Sequence, residues 1–187
     1  MSSFWKRRFF YREPIIPVLD YLFTLSLDVF IYDIAMPFFV SVLIYFLVLS
    51  KISLCSISSF STVIIGILAI LIGFSITSLT IIVSNGNQNI EKLKNTQSSR
   101  KLNGKNISLY QLLIITNTYS IVAEIVALLI NLSFLFIFKS KIYSISYSIY
   151  YSLNIFMLLH IFFLILRNAT NIYLVFYKNN TKSNFHS

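Results

Sequence analysis

Four stretches of this chain are apolar for about the length a helix needs to cross a bilayer, ~20 residues. They run from Ile31 to Ser50, Ser61 to Ser84, Leu109 to Phe138 and Tyr147 to Tyr177. The predicted fold is all-α, a polytopic membrane protein with four transmembrane helices. The first stretch carries Pro37, tolerable if it lies close to the helix start. Ahead of it, IIPVLDYLFTLSLDVF is apolar but interrupted by Asp20 and Asp28. Ile15 to Ser50 is too short for two spans and a turn, so this segment is expected to be an interfacial helix or a bent extension of the first span. The expected organisation is a basic N-terminus with this interfacial helix (1–30), a four-helix bundle (31–177) interrupted by a polar basic loop (85–108), and a short tail (178–187).

Polar residues inside the spans fall at helical spacing. In the second, Gly66, Ala69, Gly73, Thr77 and Thr80 recur in steps of three and four and share one face. Small residues let membrane helices approach closely, so this stripe is expected to pack against other helices, within a protomer or between protomers of a homo-oligomer. In the third span Asn117, Ser120, Glu124 and Asn131 share a face. A carboxylate at mid-helix costs ~2.5–3.5 kcal/mol on insertion scales and seeks a partner. The fourth span offers His160 and Arg167. Spans three and four run in opposite directions, which predicts a Glu124–Arg167 pair with His160 as an alternative or additional partner. Such a cluster serves as structural glue, as an ion path or as a switch.

Charge sets the orientation. Lys6, Arg7, Arg8 and Arg12 precede the first span; Lys92, Lys94, Arg100, Lys101 and Lys105 lie between the second and third; Lys178 and Lys182 follow the fourth. The opposite face has only Lys51, Lys139 and Lys141. The positive-inside rule therefore places both termini and the 85–108 loop in the cytoplasm. Within that loop Asn89 is a candidate cap for a short amphipathic helix carrying Ile90 and Leu93. The five loop cations are expected to touch anionic membrane lipids or a cytoplasmic protein partner. Nucleic acid is not the expected partner, because aromatic side chains are not interleaved with the basic ones.

The wider composition narrows the chemistry. The chain has 187 residues, 57% of them hydrophobic, and a single cysteine, Cys55, so no disulfide closes within it. No phosphate-cradling glycine loop, nucleophile elbow or zinc-ligand spacing occurs. An enzyme is not expected, nor a cofactor or a metal. The Ile-, Lys-, Asn- and Tyr-rich composition suggests an AT-rich, bacterial genome and hence an inner membrane.

The run GFSITSLTIIVSNGNQNIEKLK, followed by SLYQLL opening the third span, resembles small four-span membrane proteins of bacterial phage-defence operons, of which the Kiwa membrane subunit is one kind. The resemblance covers roughly residues 66 to 130. It implies an oligomeric inner-membrane component that senses or answers phage infection together with a cytoplasmic partner at the loop. It transfers no functional residue. Read from the residues alone, a small channel or transporter lined by the polar stripes, or a structural subunit of a membrane complex, are the alternatives.

Overall fold

The computed structural model describes residues 13–49, 57–84, 88–102, 104–137 and 144–183. Cys55, Lys51, Lys139, Lys141, the N-terminal cations and the Asn85–Gly86 break lie outside them, and the side chains of Lys178 and Lys182 are likewise not described. In chain order the elements are α1 (Ile15–Thr24), α2 (Leu27–Phe30), a π-helical turn (Ile31–Ala35), α3 (Met36–Leu49), α4 (Ile57–Ser84), α5 (Gln88–Asn95), β1 (Gln97–Leu102), β2 (Lys105–Ser108), α6 (Leu109–Ile137) and α7 (Ser144–Ser183). Four helical stretches are long and apolar enough to cross a membrane, at Leu27–Val48, Ser58–Ser84, Leu109–Phe136 and Ser148–Tyr173. The protein is a four-span helical membrane protein.

Span one is the element that differs most from expectation. It begins at Leu27, where Ser26 accepts a hydrogen bond from the Val29 N–H, and passes without a break through α2, the π turn and α3. Pro37 therefore sits ten residues inside the helix rather than near its start. A proline removes the N–H that would bond the carbonyl four residues back, and its ring crowds that carbonyl. Here that carbonyl belongs to Asp33. The chain widens immediately before the proline, with the Met36 N–H reaching back to Ile31 O. Turns of this kind recur at functional positions. Ahead of span one, α1 is a separate helix packed on α6 and β1, set off from span one by the non-helical Leu25 and Ser26.

The spans pack out of chain order. Span one lies on span four, span two on span three, and span three on span four. Ile64 and Leu68 of span two, Ala123 and Ala127 of span three and Ile161 of span four form the shared core. Phe39, Ile70, Phe74, Leu129 and Leu166 are exposed on the outside of the bundle, where lipid tails would cover them.

Between spans two and three, residues 88–102 and 104–108 make a small folded unit. Ile90 and Leu93 of α5 are buried against Leu113, Leu109, Tyr110 and Ile172, as the amphipathic pattern predicts, although the helix begins at Gln88 and so includes Asn89. The hairpin of β1 and β2 was not foreseen. Its signal is present as the dipeptide Asn103-Gly104, a combination favoured in tight hairpin turns, and Gly104 has φ +77°. Ser108 and Gln111 then start α6 with a reciprocal capping box: Gln111 N–H donates to Ser108 Oγ at 3.2 Å, and Ser108 N–H to Gln111 Oε1 at 2.9 Å.

Among the described residues, nothing packs closely on the small-residue stripe of span two. Gly66, Ala69, Gly73, Thr77 and Thr80 are all exposed, and a Cβ added at Gly66 or Gly73 would meet nothing within 4 Å. Thr77 and Thr80 donate to carbonyls of their own helix, Gly73 O and Ile76 O, both at 2.8 Å. The packed face is instead Ser61, Ile64, Leu68, Ser75 and Ile82. These too recur at steps of three, four and seven, so period alone did not tell the two faces apart.

Candidate functional site in the bundle

The intramembrane polar residues form three separate groups rather than one cluster. The expected Glu124–Arg167 pair is absent. Glu124 is fully buried, and its Oε1 accepts hydrogen bonds from Ser75 Oγ of span two at 2.7 Å and from Ser120 Oγ of its own helix at 3.0 Å. Two neutral hydroxyls replace the expected cation, because Arg167 has a carboxylate elsewhere. Asn117 is buried and donates to Leu113 O, one turn back in the same helix, so it joins no interhelical contact through that bond.

Asn131 belongs to a second group, nearer the other end of span three. Its Nδ2 donates to Asn154 Oδ1 and its Oδ1 accepts from the Tyr150 hydroxyl, both at 2.6 Å. The Tyr150 hydroxyl also meets Ser61 Oγ, which brings span two into the same network. Asn131 thus ties spans two, three and four together.

The third group is centred on Asp33. Its side chain is fully buried, and Oδ2 pairs with Arg167 Nη1 of span four at 2.5 Å. The Tyr21 hydroxyl of α1 donates to the same oxygen at 2.7 Å. The Asp33 backbone carbonyl, released by Pro37, accepts from His160 Nδ1 at 2.6 Å. A carbonyl only accepts, so Nδ1 carries a proton; in the neutral ring Nε2 then accepts from the Tyr119 hydroxyl, 2.9 Å away. Tyr119 stacks on Tyr21 with ring centroids 3.9 Å apart and planes 5° apart. The Arg167 guanidinium carbon lies 5.9 Å from the Tyr21 ring centroid, within cation–π range.

One residue of span one therefore gathers α1, span three and span four, through its carboxylate on one side and its carbonyl on the other. Burial and the adjacent Asp33 carboxylate push the Tyr21 phenol well above its ordinary value, so it remains a donor. Both Asp33 Oδ1 and Arg167 Nη2 are buried without a hydrogen-bond partner among the described residues. His160 is part of this group and not a partner of Glu124.

Arg167 also lines a cavity of about 330 Å³ between α1, the N-terminal part of span one, the hairpin and the adjoining ends of spans three and four. Of the loop cations, Arg100 lines the same cavity and is partly buried. Lys92, Lys94, Lys101 and Lys105 are exposed, Lys94 with its Nζ 5.1 Å from the Tyr110 ring centroid. They remain available for lipid or a partner. Among the described residues, no group of three or more His, Cys, Asp and Glu side chains is arranged to hold a metal.

Asp33, Tyr21, Tyr119, Ser75, Ser61, Tyr150 and Asn154 are the site residues that sequence reasoning missed. The Asp33–Pro37 spacing was the available signal for the first, since it announces a free carbonyl beside a carboxylate. No protein-family model, curated protein or solved structure matches this chain.

Proposed function

We propose that this protein is a sensor in a bacterial inner membrane, with α1, α5 and the hairpin on the cytoplasmic side, that passes a signal to a cytoplasmic protein partner. The observation that carries this reading is the Asp33 junction. A buried ion pair in a membrane is a costly way to hold helices together, and such residues mark functional positions. This pair joins an interfacial helix to the bundle at a π turn, the place where a change in α1 or the hairpin would be felt by spans one, three and four. Releasing the pair would separate two charges inside the bundle, which favours two discrete arrangements over a graded one.

The distribution of Lys and Arg supports the orientation. The exposed Lys92, Lys101 and Lys105 supply the contact for an acidic surface on the partner or for anionic lipid. The outward stripe Gly66–Ala69–Gly73–Thr77–Thr80 suits helix packing between copies of the chain, so a homo-oligomer is part of the proposal. A defence or stress-response setting is supported by the resemblance of residues 66–130 to phage-defence membrane subunits. A channel has less support, because the span-two stripe faces outward and Glu124 is hydrogen-bonded across the bundle.

The test is a phage challenge of cells carrying the gene with its native neighbours. Asp33→Asn is expected to abolish protection even when its expression is raised until the membrane holds as much protein as in the wild type. Lys92, Lys101 and Lys105 changed together to Gln should lose co-purification of the partner. Full protection by Asp33→Asn would remove the junction from the mechanism.

A further inference from the structure

We infer that the cavity beneath the hairpin is a binding site for a phosphate-bearing anion, with the headgroup of an anionic phospholipid as its favoured source. Two cations reach it from different elements: Arg167 from the end of span four and Arg100 from β1. Arg167 spends one guanidinium nitrogen on Asp33, and the other, Nη2, is buried with no partner among the described residues. Because Asp33 balances one positive charge, the lining is left with a net positive charge from Arg100. Neutral polar side chains, among them Ser98, Ser99, Asn171, Thr24 and Thr116, add to the polar part of the wall. Planar guanidinium donors suit phosphate oxygens better than any other side chain does.

The backbone is arranged to bring Arg100 there. The strands pair Gln97 with Ser108 and Lys101 with Asn106, with a register irregularity between. Three residues, Ser98 to Arg100, therefore oppose the single residue Ile107. A bulge of this size bends the strand and re-aims its side chains; all three of its residues line the cavity, with the Arg100 N–H bonded to Ser98 Oγ at 2.9 Å. Leu25, Val29, Leu109, Leu112 and Leu113 give the cavity an apolar side, which lies where α1 and the span ends would meet the headgroup layer. A cavity about this large suits a headgroup rather than a whole lipid, and the apolar wall favours a ligand with attached acyl chains over free phosphate. The consequence for signalling, that the anion is what the sensor reads, rests on the proposed function; the binding itself does not.

The experiment is native mass spectrometry of the full-length protein in neutral detergent, titrated separately with phosphatidylglycerol, with diacylglycerol as the phosphate-free control, and with glycerol 3-phosphate. Phosphatidylglycerol should bind about tenfold or more tightly than diacylglycerol, and Arg100→Gln should remove most of that preference, as loss of one charge-assisted contact predicts. Lys101→Gln, at an exposed neighbour outside the cavity, should lower it far less than Arg100→Gln does. Tight binding of glycerol 3-phosphate that Arg100→Gln abolishes would support the phosphate site and assign it a soluble ligand. Equal binding of diacylglycerol, or an equal loss in Lys101→Gln, would overturn the site. Arg100→Gln that stays folded by circular dichroism and binds as the wild type would do the same. Binding that behaves as expected while Asp33→Asn still protects cells would leave the anion site standing and the sensor reading refuted.

Discussion

Asp33→Asn is the change on which the account of the bundle depends most. Asn preserves the shape of the side chain and an oxygen for the Tyr21 hydroxyl to donate to, so the substitution removes charge and little else. The carboxylate is fully buried and the Arg167 side chain only 16% exposed, with 2.5 Å between Nη1 and Oδ2. At an effective dielectric near 20, charges this close attract by ~7 kcal/mol, and desolvation of both offsets part of that. Breaking a buried pair from one side costs ~3–5 kcal/mol, because the other charge is left uncompensated. The lower end applies here, since the partly exposed guanidinium can turn towards the headgroup layer. Unfolding by SDS titration in mild detergent, followed by circular dichroism, should then show an equilibrium shifted by about 150-fold, ~3 kcal/mol at ~1.4 kcal/mol per factor of ten. Arg167→Gln strands a carboxylate with no exposure and should cost at least as much. Asp33→Asn/Arg167→Gln together should recover ~2 kcal/mol or more of the summed loss, as directly interacting pairs do. Strictly additive single costs, or an Asp33→Asn variant within ~0.5 kcal/mol of wild type, would show that the pair does not hold the helices.

Other consequences follow from the same geometry. His160→Leu leaves the Asp33 carbonyl without its donor and should cost ~1–3 kcal/mol; in a Pro37→Ala background the restored N–H at position 37 can serve that carbonyl, so the penalty should shrink, which the same SDS titration measures. Glu124→Gln keeps an oxygen for Ser75 and Ser120 and should stay within ~1 kcal/mol of wild type, whereas Glu124→Ala should lose ~1–3 kcal/mol; equal losses would count against those two bonds. Asn131→Ala should cost ~0.6–1.7 kcal/mol, the range for interhelical hydrogen bonds in membranes, and a variant indistinguishable in unfolding would detach Asn131 from the network. The raised Tyr21 phenol makes stability fully present below the ordinary tyrosine value, ~10, and lost as pH rises above it, when the unfolded chain releases the proton first. Tyr21→Phe should therefore flatten the alkaline decline in stability, and an unchanged slope would contradict the Tyr21–Asp33 contact.

The spans were legible because hydrophobic length in a bilayer is a strong physical constraint, and three of the four boundaries on the hairpin side lie close to where the pattern puts them: Ser84 ends span two, Leu109 begins span three, and the helix of span four continues past Tyr173. The site was less legible, for reasons that differ from residue to residue. Two faces of span two have the same period, and hydroxyls that satisfy themselves on their own carbonyls, as Thr77 and Thr80 do, make an outward face look polar enough to be buried. Ser75, on the other face, is the residue that meets Glu124. Tyrosines count as apolar in a hydropathy pattern, yet Tyr21, Tyr119 and Tyr150 each place a hydroxyl in a buried network.

Arg167 could not be matched to its partner by depth alone, because two carboxylates, Asp33 and Glu124, were within reach of such an argument. What separates them is backbone chemistry. Glu124 lies in an uninterrupted helix, where its carbonyl is available to the helix itself and two hydroxyls serve one oxygen of its side chain, Oε1, while Oε2 is buried without a hydrogen-bond partner among the described residues. Asp33 lies four residues before a proline, so its carbonyl needs an outside donor as well as its carboxylate an outside cation. Span four answers both needs with His160 and Arg167, seven residues and about two turns apart on one face. A single proline thus sets which carboxylate the arginine meets, and it does so at the π turn, where span one is already widened. Coupling between α1 and the bundle follows from that choice, since Tyr21 reaches the carboxylate of Asp33 while Tyr119, stacked on Tyr21, reaches the histidine that holds its carbonyl.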